Sequence, residues 1–330
     1  MIHPIPPGTR DVLPDEMREL RRLHLALLEV FEGHGYGQVA TPAIEYDEVL
    51  ARGDGRTAAG AYRFFDERGD LLALRSDMTV PIARLAATRY ANAEPPLRLC
   101  YLANAYRAVR PQRGQMREFA QGGIELIGAP APGGTAEVVE VLTAVLDAAG
   151  LGRAVIGLGD ADLFRQLLAE LGVEGENRDS ILERLATHDL VGLEAELMEV
   201  EGMSEEQSAT CVALSQLRGG REVLEEARGL GGAAVERATA RIGETYEALE
   251  ARGVADRVRI DLGLLRDLGY YSGAILEVYD PALGHVLGGG GRYDRLLERF
   301  GLDLPAAGFA LYLERVHLAQ LEEESRGAES

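Results

Sequence analysis

Apolar residues recur at helical spacing over residues 15–33. Met17, Leu20, Leu23, Leu27 and Phe31 fall on one stripe, after Pro14 and Asp15 and before Gly33 and Gly35. The spacing predicts an amphipathic helix with one buried face. Residues 37–45 read as a strand broken by Pro42, which lacks a donor and so suits an edge or an interface. Residues 62–65 and 71–75, around the turn residues 66–70, predict a hairpin. A helix is predicted over about 78–90. Residues 97–107 and 118–127 read as two strands joined by a polar loop. Residues 135–149 read as a helix and 154–158 as a short buried strand.

From residue 160 to 252 helical periodicity takes over, with breaks expected at Ser180, Ser204 and Gly219–Gly220. Strand-like alternation returns at 258–262, 272–279 and 285–288. A last helix is expected from about Ala310, and residues 322–330 read as a frayed tail. Strands interleaved with helices and joined by hairpins predict an α+β fold with a mostly antiparallel sheet. The expected division is a core of 1–165 and 253–320, a helical insertion at 166–252, and a tail at 321–330.

Charge changes the picture in two places. The chain has 34 basic and 54 acidic side chains, a net charge of −20 and a pI near 4.8. Residues 171–250 hold 18 acids and 7 Arg, a net of −11. Such a surface offers nucleic acid or an anionic membrane no overall attraction. All the basic residues are Arg. Without Lys there is no Schiff-base lysine, no phosphate-binding Walker-type lysine and no Ser–Lys dyad. Cys100 and Cys211 and the six His show no metal-ligand spacing, so neither a metal nor a disulfide is expected. The first residues lack a signal-peptide pattern, and no apolar run reaches membrane-spanning length. A cytoplasmic protein with reduced, buried thiols is expected.

Four Arg (107, 110, 113 and 117) lie within eleven residues of this acidic chain. They read either as a ligand-gripping loop or as surface salt bridges. On the strand that follows, Gln121, Gly123 and Glu125 share a face, so a glycine between two polar groups leaves room for a ligand. Further on come Arg266, Gly269, Tyr270 and Tyr271, then the run Gly288–Gly291 followed by Arg292, Tyr293 and Asp294. The glycine run reads as a place of close backbone approach or as a tight bulged strand. Gly308 then precedes Tyr312 and Arg315. No nucleophile–base pair stands out, so no catalytic residue is assigned.

Together these segments resemble the class II aminoacyl-tRNA synthetase core, and within it the histidyl-tRNA synthetases. Residues 6–14 resemble the family's N-terminal segment. Helix 15–33 with the Pro42 strand is similar to motif 1, residues 106–125 to motif 2, and 308–315 to motif 3. Residues 265–273 and 289–294 are similar to the two histidine-specific motifs. The resemblance implies an antiparallel sheet of six or seven strands flanked by helices, with a helical insertion, and a dimer formed by the motif 1-like region. It also implies a histidine pocket of Asp77, Thr79, Arg107, Gln121, Glu125, Arg266, Tyr270, Tyr271 and Tyr293. Asp77 and Gln121 suit an α-ammonium, Arg107 or Arg266 an α-carboxylate, and Glu125 with Tyr271 an imidazole. Two readings from the residues alone stay open: Tyr270 and Tyr271 as core packing, and Asp77 paired with a neighbouring Arg.

The departures fall on the nucleotide side. Val109, Gly269 and Tyr312 stand where the synthetases carry an acid, an Asp and a Gly. Arg110 and Arg315 are kept as possible residual nucleotide contacts. The sequence stops just after the motif 3-like segment, so no anticodon-binding domain is expected. This combination resembles the synthetase-like regulatory subunits of ATP phosphoribosyltransferase. That resemblance implies a non-catalytic subunit without a cofactor, needed for the first step of histidine biosynthesis. It implies a short-form catalytic partner in a hetero-octamer, histidine as feedback effector, and no binding of tRNA or membrane. Two alternatives stand beside it: a truncated or divergent histidine–tRNA ligase, and a stand-alone histidine-binding module.

Overall fold

The computed structural model describes residues 5–53, 60–108, 116–266 and 269–329. Helix α1 (Pro14–Gly33) starts with Pro at its first turn beside Asp15 and Glu16, which favour a helix N-terminus. It buries Leu20, Leu23, Leu27 and Phe31 and leaves Met17 exposed. Pro42 divides the next segment into β1 (Gly37–Gln38) and β2 (Ile44–Tyr46), and the two go to different sheets. After α2 (Asp47–Gly53), the hairpin β3 (Arg63–Phe65) and β4 (Leu71–Leu74) joins β2 in a three-stranded sheet. Helix α3 (Thr79–Arg89) follows, then the long hairpin β5 (Leu97–Tyr106) and β6 (Glu118–Ile127).

Helix α4 (Gly133–Ala148) is buried along most of its surface and packs among α1, the sheet and the helical region. Strand β7 (Val155–Asp160) leads into α5 (Leu163–Glu170), α6 (Gly175–Ala186), α7 (Leu190–Glu199) and α8 (Glu205–Gln216). Strand β8 (Arg218–Gly219), α9 (Glu222–Leu230) and α10 (Ala233–Ala251) complete this region. Ser204 forms a capping box with Gln207, as a break there requires. Ser180 lies inside α6, so no break occurs at that position. The chain returns through β9 (Val258–Asp261), β10 (Ala274–Tyr279), β11 (Val286–Arg292) and β12 (Ala306–Tyr312) to α11 (Leu313–Glu329).

The main sheet has the order β1-β5-β6-β12-β11-β10-β7-β9-β8. Its centre is antiparallel, but β1–β5 and β7–β9 are parallel. The sheet is therefore mixed and has nine strands among the described residues, more than the six or seven expected. Both parallel pairs arise because helices intervene in the connection, which lets the chain return in the same direction. The last helix starts at Leu313, later than expected. Residues 306–312 pair with β6 on one side and β11 on the other, and that ladder overrides their helix-compatible composition. The expected tail continues α11 as far as Glu329.

Ile124, Leu126, Ile156, Leu158, Leu276 and Phe309 point to one side of the sheet and join a core that runs into the helical region. The opposite side holds a smaller core around Met78, Ile82, Tyr101, Ile275 and Leu297. Alternation along each strand thus gives two packed faces, and the second is interrupted by polar groups. Ile124→Ala is expected to cost about 2–5 kcal/mol in urea unfolding, because Ile124 is fully buried at mid-sheet. The polar groups on the other face should keep their ligand affinity per folded molecule in that variant.

Candidate functional site

The interrupted face is paved with small residues. Following the cross-strand pairs, Tyr101 faces Gly123, Gly123 faces Ala310, and Ala310 faces Gly289. One row over, Glu125 faces Gly308, and Gly308 faces Gly291. The absent side chains are what seat the polar groups. A Cβ on Gly308 would lie 2.0 Å from Glu125 Oε2, and one on Gly289 would lie 1.7 Å from Arg266 Nη1. Any side chain at either position displaces a polar group of the site. The space over Gly123 is taken by the Tyr101 phenol, 2.6 Å from where a Cβ would sit. This corrects the expectation that Gly123 leaves room for a ligand.

Glu125 is 1 % exposed. Thr79 Oγ1 donates to its Oε1 at 2.8 Å, and the Tyr293 hydroxyl donates to its Oε2. Burial pushes the carboxyl up to about 8, even though both hydroxyls and their hydrogen bonds favour the charged form. Asp77 lies just before α3 and accepts from the Val80 amide at 3.1 Å. Gln121 is buried, and its Oε1 has no hydrogen-bond partner among the described residues. An acceptor left this way in a protein interior costs about 1–3 kcal/mol unless a ligand or water meets it.

Two guanidinium groups reach the same cavity. Arg107 donates from Nε to the Ser76 carbonyl at 3.2 Å and from Nη1 to the Tyr312 hydroxyl at 3.3 Å, and lies 5.1 Å from the Phe119 ring. Arg266 donates to the Leu276 carbonyl at 3.3 Å and stands 3.9 Å from Glu277. Tyr270 packs its ring on Tyr271 at 5.0 Å and edge-on to Tyr293 at 5.9 Å. These tyrosines belong to the smaller core and also line the cavity, so they pack and line at once. Asp77, Thr79, Arg107, Gln121, Arg266, Tyr270, Tyr271 and Tyr293 line one small cavity of about 30 Å³, and Glu125 is bonded into its wall.

Tyr312 separates this cavity from a second pocket of about 410 Å³ that also takes in Arg10, Glu16, Phe119, His285 and Arg315. Its ring lies 5.4 Å from Phe119, and Arg315 stacks on it at 4.5 Å while donating to the Val286 carbonyl. Burial raises the phenol, but Arg107, Arg266 and Arg315 outweigh it and hold the group below its ordinary value. The ring stands at the end of β12, not on the helix where the sequence reading put it. Arg110, with Val109 and Arg113, lies outside the described residues.

The family model of histidyl-tRNA synthetase matches residues 8–316. The ATP phosphoribosyltransferase regulatory subunit of Moorella thermoacetica is 42% identical over 320 residues, 96% of this chain and 82% of that protein. The chain belongs to this synthetase-like regulatory subunit family. Among solved structures, a Bacillus halodurans ATP phosphoribosyltransferase regulatory subunit/histidyl-tRNA synthetase superposes with a TM-score of 0.87 at 34% identity. The match covers 97% of this chain and 84% of that one. A histidine–tRNA ligase subunit from Alicyclobacillus acidocaldarius gives 0.84 at 30% identity, covering 98% and 99%.

Sequence reasoning missed Tyr101, Ser76 and Phe119 as parts of the site. Tyr101 had a signal: alternation along β5 puts it on the face of Leu99 and Ala103, opposite a glycine. Ser76 and Phe119 act through a carbonyl and a ring face, which no spacing announces. Among the described residues no three His, Cys, Asp or Glu side chains cluster as a metal site needs. No helix there is long and apolar enough to cross a membrane.

The raised Glu125 carboxyl has a consequence for stability. The folded chain holds its proton up to about 8 and the unfolded chain only to 4.5. Folding therefore binds a proton between those values, and the stability this contributes is lost as pH rises through that window. Denaturation midpoints measured across the window should fall with pH. Glu125→Gln should flatten this slope, and an unchanged slope in that variant would assign the titration elsewhere.

Proposed function

We propose that the chain is the histidine-responsive regulatory subunit of an ATP phosphoribosyltransferase and does no chemistry itself. The observation that carries this reading is the cavity that gathers Arg107 and Arg266 with Asp77 and Gln121, and with Glu125 bonded into its wall. An amino-acid zwitterion with a polar ring needs that set of opposites. Arg107 or Arg266 grips the carboxylate, Asp77 and Gln121 receive the ammonium, and Glu125 takes the imidazole N–H. Thr79, Tyr270, Tyr271 and Tyr293 close the pocket around it. The regulatory-subunit relatives support a partner that holds the catalytic activity. The assembly we propose is a hetero-octamer with a short-form catalytic subunit, placed in the cytoplasm and making no contact with tRNA or membrane.

Histidine acts here by favouring one subunit arrangement over another, for which a coupling of about 1–3 kcal/mol suffices. Calorimetric titration of the chain with histidine, with and without the catalytic subunit, tests this. Glu125→Gln and Arg107→Gln should each weaken binding about 10- to 100-fold and blunt feedback inhibition to a similar degree. Wild-type feedback in both variants would remove the pocket assignment.

The likeness to the Alicyclobacillus ligase subunit supports one competing reading, a divergent histidine–tRNA ligase. Histidine-dependent ATP–pyrophosphate exchange by the pure chain would favour it. Tyr312 argues against it, since its ring lies between Arg315 and Phe119.

The proposed homodimer uses α1 and the strand after Pro42. Leu25 is 60 % exposed, Ile44 47 % and Tyr46 50 %, so apolar area stands open on both elements. Light scattering should give about twice the 35.6 kDa chain mass for the native chain. Ile44→Asp combined with Tyr46→Asp should shift it to the monomer.

A further inference from the structure

The small-residue face extends past the cavity. From Gly289 the cross-strand pairs lead to Glu277 on β10, then Gly157 on β7 and Arg259 on β9. Asp261, two residues beyond Arg259, pairs with Arg218 of β8. Over these four strands lies a separate cavity of about 480 Å³, lined by His188, Arg218, Arg259, Asp261, Glu277 and Tyr279. Gly157 forms part of its floor, and a Cβ there would strike the Tyr279 hydroxyl at 2.2 Å.

The hydrogen-bonding capacity around this cavity is uneven. Asp261 is used on both oxygens, by the Gly263 amide at 3.0 Å and by Arg218 Nε at 2.9 Å. That pairing fixes Arg218 but leaves its terminal amino groups for the cavity. Arg259 gives Nη1 to the carbonyls of Asp256 and Val258, at 3.0 and 2.9 Å, and keeps the rest of its fork. His188 reaches the cavity from the turn between α6 and α7 with a φ of 54°, a conformation uncommon for a side-chain-bearing residue. Against these three groups stands one acid not already bonded in this way, Glu277, which is 17 % exposed and 3.9 Å from Arg266.

We propose that this cavity is a second binding site, for a small phosphate-bearing metabolite of sugar-phosphate size. Two guanidinium forks grip an oxyanion from two sides, and an imidazole supplies a further donor. Glu277 and the Tyr279 phenol then meet hydroxyl groups on the rest of the molecule. The volume lies within the roughly 300–1,000 Å³ usual for small-molecule sites. In a chain of net charge −20, the lining balances two Arg against Asp261 and Glu277, so the cavity escapes the acidic excess of the whole surface. Glu277 lines this cavity and Arg266 the zwitterion pocket, and the two side chains stand 3.9 Å apart.

The test is calorimetric titration of the full chain with ribose 5-phosphate, inorganic phosphate, acetate and ribose. Saturable binding of one ribose 5-phosphate per chain is expected, with inorganic phosphate weaker and ribose silent. Arg259→Gln and Arg218→Gln should each weaken ribose 5-phosphate binding by about fivefold or more. Arg218→Gln also removes the Asp261 pair and so risks the edge of the sheet. Arg259 bonds only backbone carbonyls of its own segment, and its variant decides the matter if the other does not fold. No saturable binding of either phosphate compound, or undiminished binding in Arg259→Gln, overturns the site. Acetate binding as tight as ribose 5-phosphate overturns the phosphate assignment. Histidine titration of the same variants is read separately, so failure of the zwitterion pocket and failure of this cavity remain distinguishable.

Discussion

Everything on the functional face depends on glycines and alanines standing where a sheet normally carries side chains. Gly308 lets the Glu125 carboxylate lie against β12, and Gly289 lets the Arg266 guanidinium lie against β11. These contacts leave no space for even a methyl group. The constraint has a cost, since glycine weakens a strand. The chain offsets it by placing β11 between two fully paired neighbours, where the ladder holds it from both sides. A strand of four consecutive glycines is tolerable only in such a central position.

Glu125 is held by two hydroxyl groups, Arg107 by a carbonyl and a phenol, and Arg266 by a carbonyl with a carboxylate at the margin of contact. Neutral partners satisfy the hydrogen-bond geometry of the two guanidinium groups while leaving most of their charge uncompensated. Shorter ion pairs occur among residues that do not line the pocket. Arg292 grips Asp294, and Arg241 grips a fully buried Asp160 in a two-pronged contact, and these hold the frame. The chain's reliance on Arg suits both tasks, because a planar fork serves carbonyls, carboxylates and rings alike.

The parts of this arrangement that were legible in the sequence are those written in local periodicity. The α1 stripe and the β5–β6 hairpin follow from spacing, because one buried face demands it. The glycine run could not be read as a strand with any definiteness, since glycine carries no side chain to alternate. The end of β12 was read as helix because its alanines and leucine suit either state, and only the two flanking strands decide. Ser180 looked like a break because Ser favours caps, yet the apolar Ile181 and Leu185 keep α6 continuous through it. Most of the pocket was reached through the family's motifs. What those motifs could not supply was who sits opposite whom: Tyr101 over Gly123, and Tyr312 against Arg107.

That last pair decides how two neighbouring spaces meet. Tyr312 faces Gln121 across the β6–β12 ladder, so its ring stands where the small inner cavity meets the larger outer pocket. Its hydroxyl accepts from Arg107, and its face carries Arg315. Turning the ring aside would strip a buried guanidinium of one partner and break a cation–π contact worth about 0.5–2 kcal/mol. The wall is therefore stable as built, and it is made of an aromatic ring in a place bracketed by Phe119 and a guanidinium. The inner cavity and the outer pocket thus share Arg107 and Tyr312 as a common wall, and a ring held on both faces keeps the two spaces apart.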